Sequence, residues 1–251
     1  MNKILITSIG RTGTKSLSSF LDLIPDVCSF HEKEKQDISF LFLSQLSQYS
    51  NLTKSYLTKR DKEILPQKEQ HYIEVNPYFR FADAKVLKSL GWKKIFITRH
   101  PKTYLESVYT RSLFTDEDNG VSQFPDNNDP ISEKWYSLSR FQKLCWYYAK
   151  AHQYIVASNL PIYRMEDLFS NSENLKSFIS DLGIDVSSLK SFQLPKVNTS
   201  AEYQLKNKIK SLVKGEKFNI QRLNWNALTE EELETYNNYC KPLLKPLGYV
   251  L

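Results

Sequence analysis

The chain has little from which to build a disulfide scaffold or a metal centre. Its three cysteines, Cys28, Cys145 and Cys240, are odd in number and far apart. None lies in a CxxC pair, which is how thiols are distributed in a reducing compartment, so a cytoplasmic protein is expected. The four histidines, His31, His71, His100 and His152, contain no HxxxH pair, so no dedicated metal site is expected. A phosphatase loop, Cys followed by five residues and Arg, is also missing. No apolar run approaches the ~18–20 residues that span a bilayer, and the segment from Met1 to Thr7 is too short and too soon interrupted for a signal peptide. The seven glycines and ten prolines are scattered, which leaves no flexible linker. There is no basic tail either. The 34 Lys+Arg against 28 Asp+Glu give a net charge of +6, spread evenly over the two halves. Nucleic-acid binding has no support on that pattern, whereas a mildly basic protein attracts phosphate- or sulfate-bearing ligands.

What is present is an ordinary globular mixture of 41% hydrophobic and 25% charged residues over 251 positions, enough for one domain covering 1–251. Apolar runs at 3–7, 72–76, 94–98 and 160–164 read as strands. Between them the apolar residues return at helical spacing. Leu17, Phe20, Leu21 and Leu23 predict a helix stopping near Pro25, and Ile38, Leu41, Phe42 and Leu46 predict one over 37–49. Residues 82–90 form a helix closed by Gly91, Pro101 opens another, and 132–158 reads as one long helix. Residues 51–68 are polar and weakly patterned, a small insertion or a linker, and 114–131 is a loop. Strands alternating with helices imply an α/β fold with a mainly parallel sheet covered on both faces.

The first strand runs into Ser8-Ile9-Gly10-Arg11-Thr12-Gly13-Thr14-Lys15-Ser16 and then a helix. A glycine turn at a helix N-terminus lets an anion approach unpaired N–H groups and the positive end of the helix dipole. Thr12, Thr14 and Ser16 add hydroxyls, and Arg11 and Lys15 add charge. A tight turn with a capped helix is the plain alternative. The segment is not a Walker A loop, because the two glycine positions of that pattern hold Ile9 and Thr14. The strand at 94–98 ends in Thr98-Arg99, a cation where an Mg²⁺-binding acid would stand. A metal-free anion site is therefore expected.

Arg99 closes a strand at the end where ligands bind in open α/β sheets, and Ser107 follows eight residues later on a helix opened by Pro101. A guanidinium and a hydroxyl converging there suit a second phosphate. At these residues the chain resembles the sulfotransferases that use 3′-phosphoadenosine 5′-phosphosulfate (PAPS). Arg11-Thr12-Gly13-Thr14 is similar to that family's loop for the 5′-phosphosulfate. Arg99, Pro101 and Ser107 are similar to its motif for the 3′-phosphate. Tyr163–Leu168 resembles its strand ending in Glu-Asp-Leu, and Lys214-Gly215 with Trp225 and 228–233 resembles its C-terminal loop and helix. Arg11 places the likeness nearer the carbohydrate, tyrosylprotein and bacterial branches than the cytosolic aryl branch.

The resemblance implies a three-layer fold like that of P-loop NTPases, with PAPS as co-substrate, PAP as product and no metal. It implies Arg11, Thr12, Gly13, Thr14, Lys15, Ser16, Arg99, Ser107, Lys214 and Gly215 as cofactor contacts. The reaction it implies is in-line transfer of a sulfuryl group to the hydroxyl of a small molecule or glycan. Arg11 and Lys15 then stabilise charge on the leaving phosphate. Glu32, 21 residues beyond Arg11, resembles the catalytic Glu of the carbohydrate and tyrosylprotein branches and is favoured over its neighbour His31. Glu74 is a third candidate base, with Asn76 beside it to orient the acceptor. Residues 32–35 also read as a solvated charge run, which suits Glu34 and Lys35 better than His31-Glu32. Lys206, Lys208, Lys210, Lys214 and Lys217 form the dense basic patch, either over the bisphosphate or as a solvent-facing edge. Trp135, Tyr136, Trp146, Tyr147 and Tyr148 read as core. Two other functions fit less well: an Mg²⁺-dependent P-loop kinase or NTPase, and a non-catalytic polyanion-binding protein of the same fold.

Overall fold

The computed structural model describes residues 1–64, 69–116, 118, 123–187, 189, 191–195, 197, 200–214 and 222–250. In chain order the elements are β1 (Asn2–Thr7), α1 (Thr14–Leu21), β2 (Val27–His31), α2 (Asp37–Leu43), α3 (Ser50–Lys62), β3 (His71–Val75), α4 (Ala84–Ser89) and β4 (Trp92–Thr98). They continue with α5 (Pro101–Tyr109), α6 (Arg140–Ala157), β5 (Ile162–Arg164), α7 (Met165–Ser170), α8 (Ser172–Asp181), α9 (Ser200–Lys214) and α10 (Glu230–Tyr239). The chain forms two compact units. The first comprises Met1–Arg99 and Tyr154–Val197, the second His100–Gln153 and Asn198–Leu251.

The first unit holds a five-stranded sheet of order β2-β3-β1-β4-β5, with every pairing parallel. Alternation along the strands explains its three layers, because successive side chains point to opposite faces. Ile4 and Ile6 of β1, Ile73 and Val75 of β3, and Ile95 and Ile97 of β4 join Leu17 and Leu21 of α1 and Phe178 and Ile179 of α8 in one core. Leu5, Tyr72 and Trp92 face the other way and pack with Phe40 of α2, Leu57 of α3 and Leu87 of α4. The α/β class, the parallel sheet and the helices on both faces agree with expectation. After β1 the chain turns towards β2, and after β4 towards β5, so the tips of these neighbouring strands border the crevice where α/β sheets bind ligands.

In the second unit, Tyr104 and Tyr148 lie 5.3 Å apart, Trp135 and Trp146 5.0 Å, and Phe141 and Trp225 5.7 Å, measured between ring centroids. Trp135, Trp146, Tyr147 and Tyr148 are buried as expected, but Tyr136 is 93% exposed.

Two helix boundaries and one polar stretch differ from the sequence reading. α2 stops at Leu43 instead of reaching Tyr49, because Ser44 Oγ and Gln45 Nε2 both donate to the Leu41 carbonyl, at 3.1 and 2.8 Å. Only a 3-10 turn at Ser47–Tyr49 follows. The expected helix over 132–158 is a 3-10 segment, Ser132–Ser137, and then α6. A reciprocal pair resets it: Ser139 N donates to Gln142 Oε1 at 2.9 Å and Gln142 N to Ser139 Oγ at 3.3 Å, a capping box. The polar stretch 51–68 is neither linker nor loose insertion over its described part. It supplies α3, which buries Leu57 and Arg60.

No described helix is long and apolar enough to cross a membrane.

Candidate active site

β1 delivers the chain into a turn that few side chains can follow. Gly10, Arg11 and Gly13 have φ of 80°, 55° and 73°, a left-handed region that glycine enters freely and arginine only at a cost. Ser8 Oγ accepts from Gly10 N at 3.0 Å. Gly10 has open space beside it, so only its φ calls for glycine. At Gly13 a Cβ would lie 2.4 Å from the Phe169 ring of α7, so both packing and backbone exclude a side chain.

Gly13 is also the N-cap of α1, and no side chain caps this helix. The first helical bond is Leu17 N to the Gly13 carbonyl at 3.0 Å. The N–H groups of Thr14, Lys15 and Ser16 therefore precede the helical ladder and have no acceptor within it. Thr12 is 1% exposed, and its Oγ1 is buried with no hydrogen-bond partner. A buried hydroxyl rarely stays unsatisfied. Together these donors fit an anionic group.

Two other strand tips, those of β4 and β2, reach this turn. Arg99, closing β4, donates from Nη1 to the Arg11 carbonyl at 2.9 Å. From β2, His31 Nε2 lies 3.1 Å from Thr14 Oγ1. Glu32 follows with φ of 47° and its N–H on the Val75 carbonyl at 3.3 Å. A left-handed, non-glycine residue is strained, and such strain collects at functional sites.

The two candidate bases differ in electrostatics. Burial, with the Lys15 charge adding to it, brings His31 down to about 4, so its imidazole is neutral at pH 7. Its 3.7 Å approach to Glu32 Oε1 is then neither an ion pair nor a hydrogen bond. Burial raises Glu32 above the usual carboxylate range, against the lowering effect of Lys15, while its side chain stays 38% exposed. A base whose pKa rises towards the working pH is the better proton acceptor.

Glu74 and Asn76 are taken up elsewhere. Glu74 is 1% exposed. It receives Arg60 Nε and Nη2 on its two oxygens at 2.8 and 3.0 Å, and Tyr72 Oη at 2.8 Å. Asn76 Nδ2 donates to Asp37 at 2.8 Å, and its Oδ1 accepts from Tyr78 N at 3.0 Å. Arg60 also reaches Asp37 at 3.3 Å and approaches Glu34 at 3.8 Å. Glu34 is thus half-buried beside Arg60, while Lys35 is exposed as a solvated run would have it. The Arg60 network was missed in the sequence, where α3 showed only polarity.

The remaining candidates are Ser16, Ser107 and the C-terminal lysines. Ser16 Oγ accepts from Val197 N at 3.4 Å. Ser107 is buried on α5 of the second unit. Lys214 ends α9 with only its backbone described, and Gly215 and Lys217 lie outside the described residues, as do the side chains of Lys206 and Lys210. Glu166, Asp167 and Leu168 stand on α7 rather than at a strand end, and Asp167 accepts from Arg164 Nε at 2.6 Å.

The chain is similar in structure to sulfotransferases. A sulfotransferase from Alicyclobacillus acidocaldarius matches over 87% of this chain and 97% of its own, at 12% identity and a TM-score of 0.46. A mouse sulfotransferase complexed with PAP matches over 97% of this chain and 85% of its own, at 17% identity and a TM-score of 0.44. No family model and no curated protein matches the sequence.

Proposed function

We propose that this protein is a sulfotransferase that moves a sulfuryl group from PAPS to a hydroxyl acceptor, with Glu32 as the base. The observation that carries the reading is the bond from Arg99 to the Arg11 carbonyl. It brings the cation of the β4 tip to the glycine turn of the β1 tip, where a doubly phosphorylated nucleotide needs both.

PAPS supplies the activated sulfuryl group and a bisphosphate leaving group. The α1 N–H groups, Thr12 Oγ1 and Lys15 bind the anionic end and offset the negative charge that grows there. Arg11 and Arg99 add full charges at the same turn. Glu32 accepts the acceptor's proton, and His31, neutral and beside Thr14 Oγ1, keeps a second cation away from it. The sequence assignments of Ser107, Lys214 and Gly215 to the bisphosphate belong to the same proposal, as do a small-molecule or glycan acceptor, a single functional domain over 1–251 and a cytoplasmic location.

The test is ligand-induced stabilisation. Adenosine 3′,5′-bisphosphate at one hundred times its Kd stabilises by about 2.7 kcal/mol, without Mg²⁺, and Arg99→Ala removes the shift. A larger response to Mg²⁺·ATP than to the bisphosphate overturns the reading in favour of a kinase. Bisphosphate binding without turnover across a broad hydroxyl panel overturns the enzyme and leaves a binding protein.

A further inference from the structure

Helix α9 reverses the usual arrangement of a surface helix, which lays its apolar stripe on the core and shows its polar face to water. Ser211 of α9 is buried, and its hydroxyl donates to the Lys208 carbonyl at 2.8 Å. Tyr203 is half-buried, its ring against the Arg111 guanidinium with Cζ 3.4 Å from the centroid. The aliphatic side chains are the ones in water. Leu205, Ile209, Leu212 and Val213 are 60%, 53%, 71% and 83% exposed.

Helical spacing puts these four on one arc. At about 100° per residue, positions 205, 209, 212 and 213 share roughly a quarter of the helix circumference, opposite positions 203 and 211. Single exposed aliphatics are ordinary, whereas four side by side form a patch that marks an interaction surface. The charge of the helix is one-sided as well. It carries Lys206, Lys208, Lys210 and Lys214 against one acid, Glu202 in the first turn. By the same spacing, positions 206 and 208 border the aliphatic arc on its two sides, and Lys208 is exposed. An aliphatic arc edged by lysines is the pattern of a helix that lies in a membrane interface.

We propose that α9 docks the protein on an anionic lipid surface, with Leu205, Ile209, Leu212 and Val213 entering the boundary between headgroups and acyl chains. The excess of lysine selects a negatively charged surface, and the single free arc selects a flat one. An acidic protein groove takes an amphipathic helix by surrounding much of it, but the inner side of α9 is occupied at Tyr203 and Ser211. A bilayer needs only the outer arc. The contact is peripheral, since no described helix is long and apolar enough to cross a membrane. The inference uses neither Arg99 nor the glycine turn, and it stands if the sulfuryl-transfer reading fails.

Vesicle co-sedimentation of the full chain tests it. Vesicles of equimolar phosphatidylserine and phosphatidylcholine carry the protein down, vesicles of phosphatidylcholine alone do not, and the bound fraction falls as salt screens the lysines. Ile209→Asp with Leu212→Asp weakens binding to the mixed vesicles by about tenfold or more. Both side chains stand in water, so the melting temperature of this variant stays at the wild-type value. Lys206→Gln with Lys208→Gln weakens binding by about fivefold per lysine. The measurement that needs no variant is amide hydrogen exchange, which slows across 205–213 when mixed vesicles are added. Failure of the wild-type chain to sediment with the mixed vesicles overturns the proposal, as does undiminished sedimentation of the folded Asp variant. Dimers that form without vesicle binding and are lost in the Asp variant overturn it in favour of a second copy of this chain. Binding to polyglutamate without binding to vesicles overturns it in favour of an acidic protein partner.

Discussion

Two glutamates on neighbouring strands, Glu32 at the tip of β2 and Glu74 inside β3, sit in opposite environments, and the roles proposed for them follow from that difference. The strands pair with Phe30 opposite Glu74 and His31 opposite Val75, so the two residues are close in register. Glu74 lies in the sheet, fully covered, with Arg60 on both oxygens and Tyr72 on one. Its lone pairs are used, and it holds α3 to β3. Glu32 sits past the end of the ladder, on a left-handed backbone, with no Lys or Arg ion-paired to it among the described residues and its carboxyl raised by burial. Satisfied burial makes Glu74 a structural carboxylate, while the raised and partly exposed Glu32 is the one proposed above as proton acceptor.

The largest expected effect is on catalysis. Glu32→Gln lowers the turnover of PAPS by about 10²–10⁴-fold while thermal shifts with adenosine 3′,5′-bisphosphate persist. Wild-type turnover in that variant would transfer the role to another group and dissolve the contrast. Glu74→Gln does the converse. It leaves Arg60 buried with half its counter-charge and destabilises by about 3–5 kcal/mol in a denaturant titration. The loss of activity in that variant follows the unfolded fraction. A folded but inactive Glu74→Gln would place Glu74 in the chemistry.

The pH dependence separates the two residues further. Glu32 must be ionised to accept a proton, so kcat/KM falls as the pH drops through its raised value, which lies above the usual carboxylate range. For stability the sign is the other way. The folded state holds this proton at a pH where the unfolded chain has lost it, so folding is favoured below the ordinary carboxylate value. That contribution is lost as pH rises through the folded-state value. Glu32→Gln removes both effects, and a pH profile identical to wild type would contradict the raised value.

Tyr72→Phe is the finest test. It removes one donor from Glu74 and the acceptor of Lys33 Nζ at 3.0 Å, and costs about 1 kcal/mol without changing kcat.

Much of this site was legible because it is local. The glycine turn, the helix start and the cations Arg11, Lys15 and Arg99 occupy two short segments whose meaning depends on neighbours in the chain. The Ser139–Gln142 capping box is equally local, but continuous apolar spacing across it led to one long helix being read over 132–158. Arg60 was not legible. Its helix is polar, and its partners Asp37 and Glu74 come from segments 23 and 14 residues away. Lys94 was hidden inside an apolar strand. It is 4% exposed and donates to the Arg80 and Ala82 carbonyls at 2.8 and 2.7 Å, where burial brings it down to about 7.

From residue order alone follow the parallel α/β sheet, the glycine turn at the start of α1 and the cation just after β4, because periodicity, glycine and charge act over a few residues. The tertiary structure alone decided which carboxylates are neutralised, that Gly13 lies against Phe169, and that the Arg111 guanidinium stacks on Tyr203. Those outcomes depend on which distant groups share a space without water, and no short window of sequence carries that information.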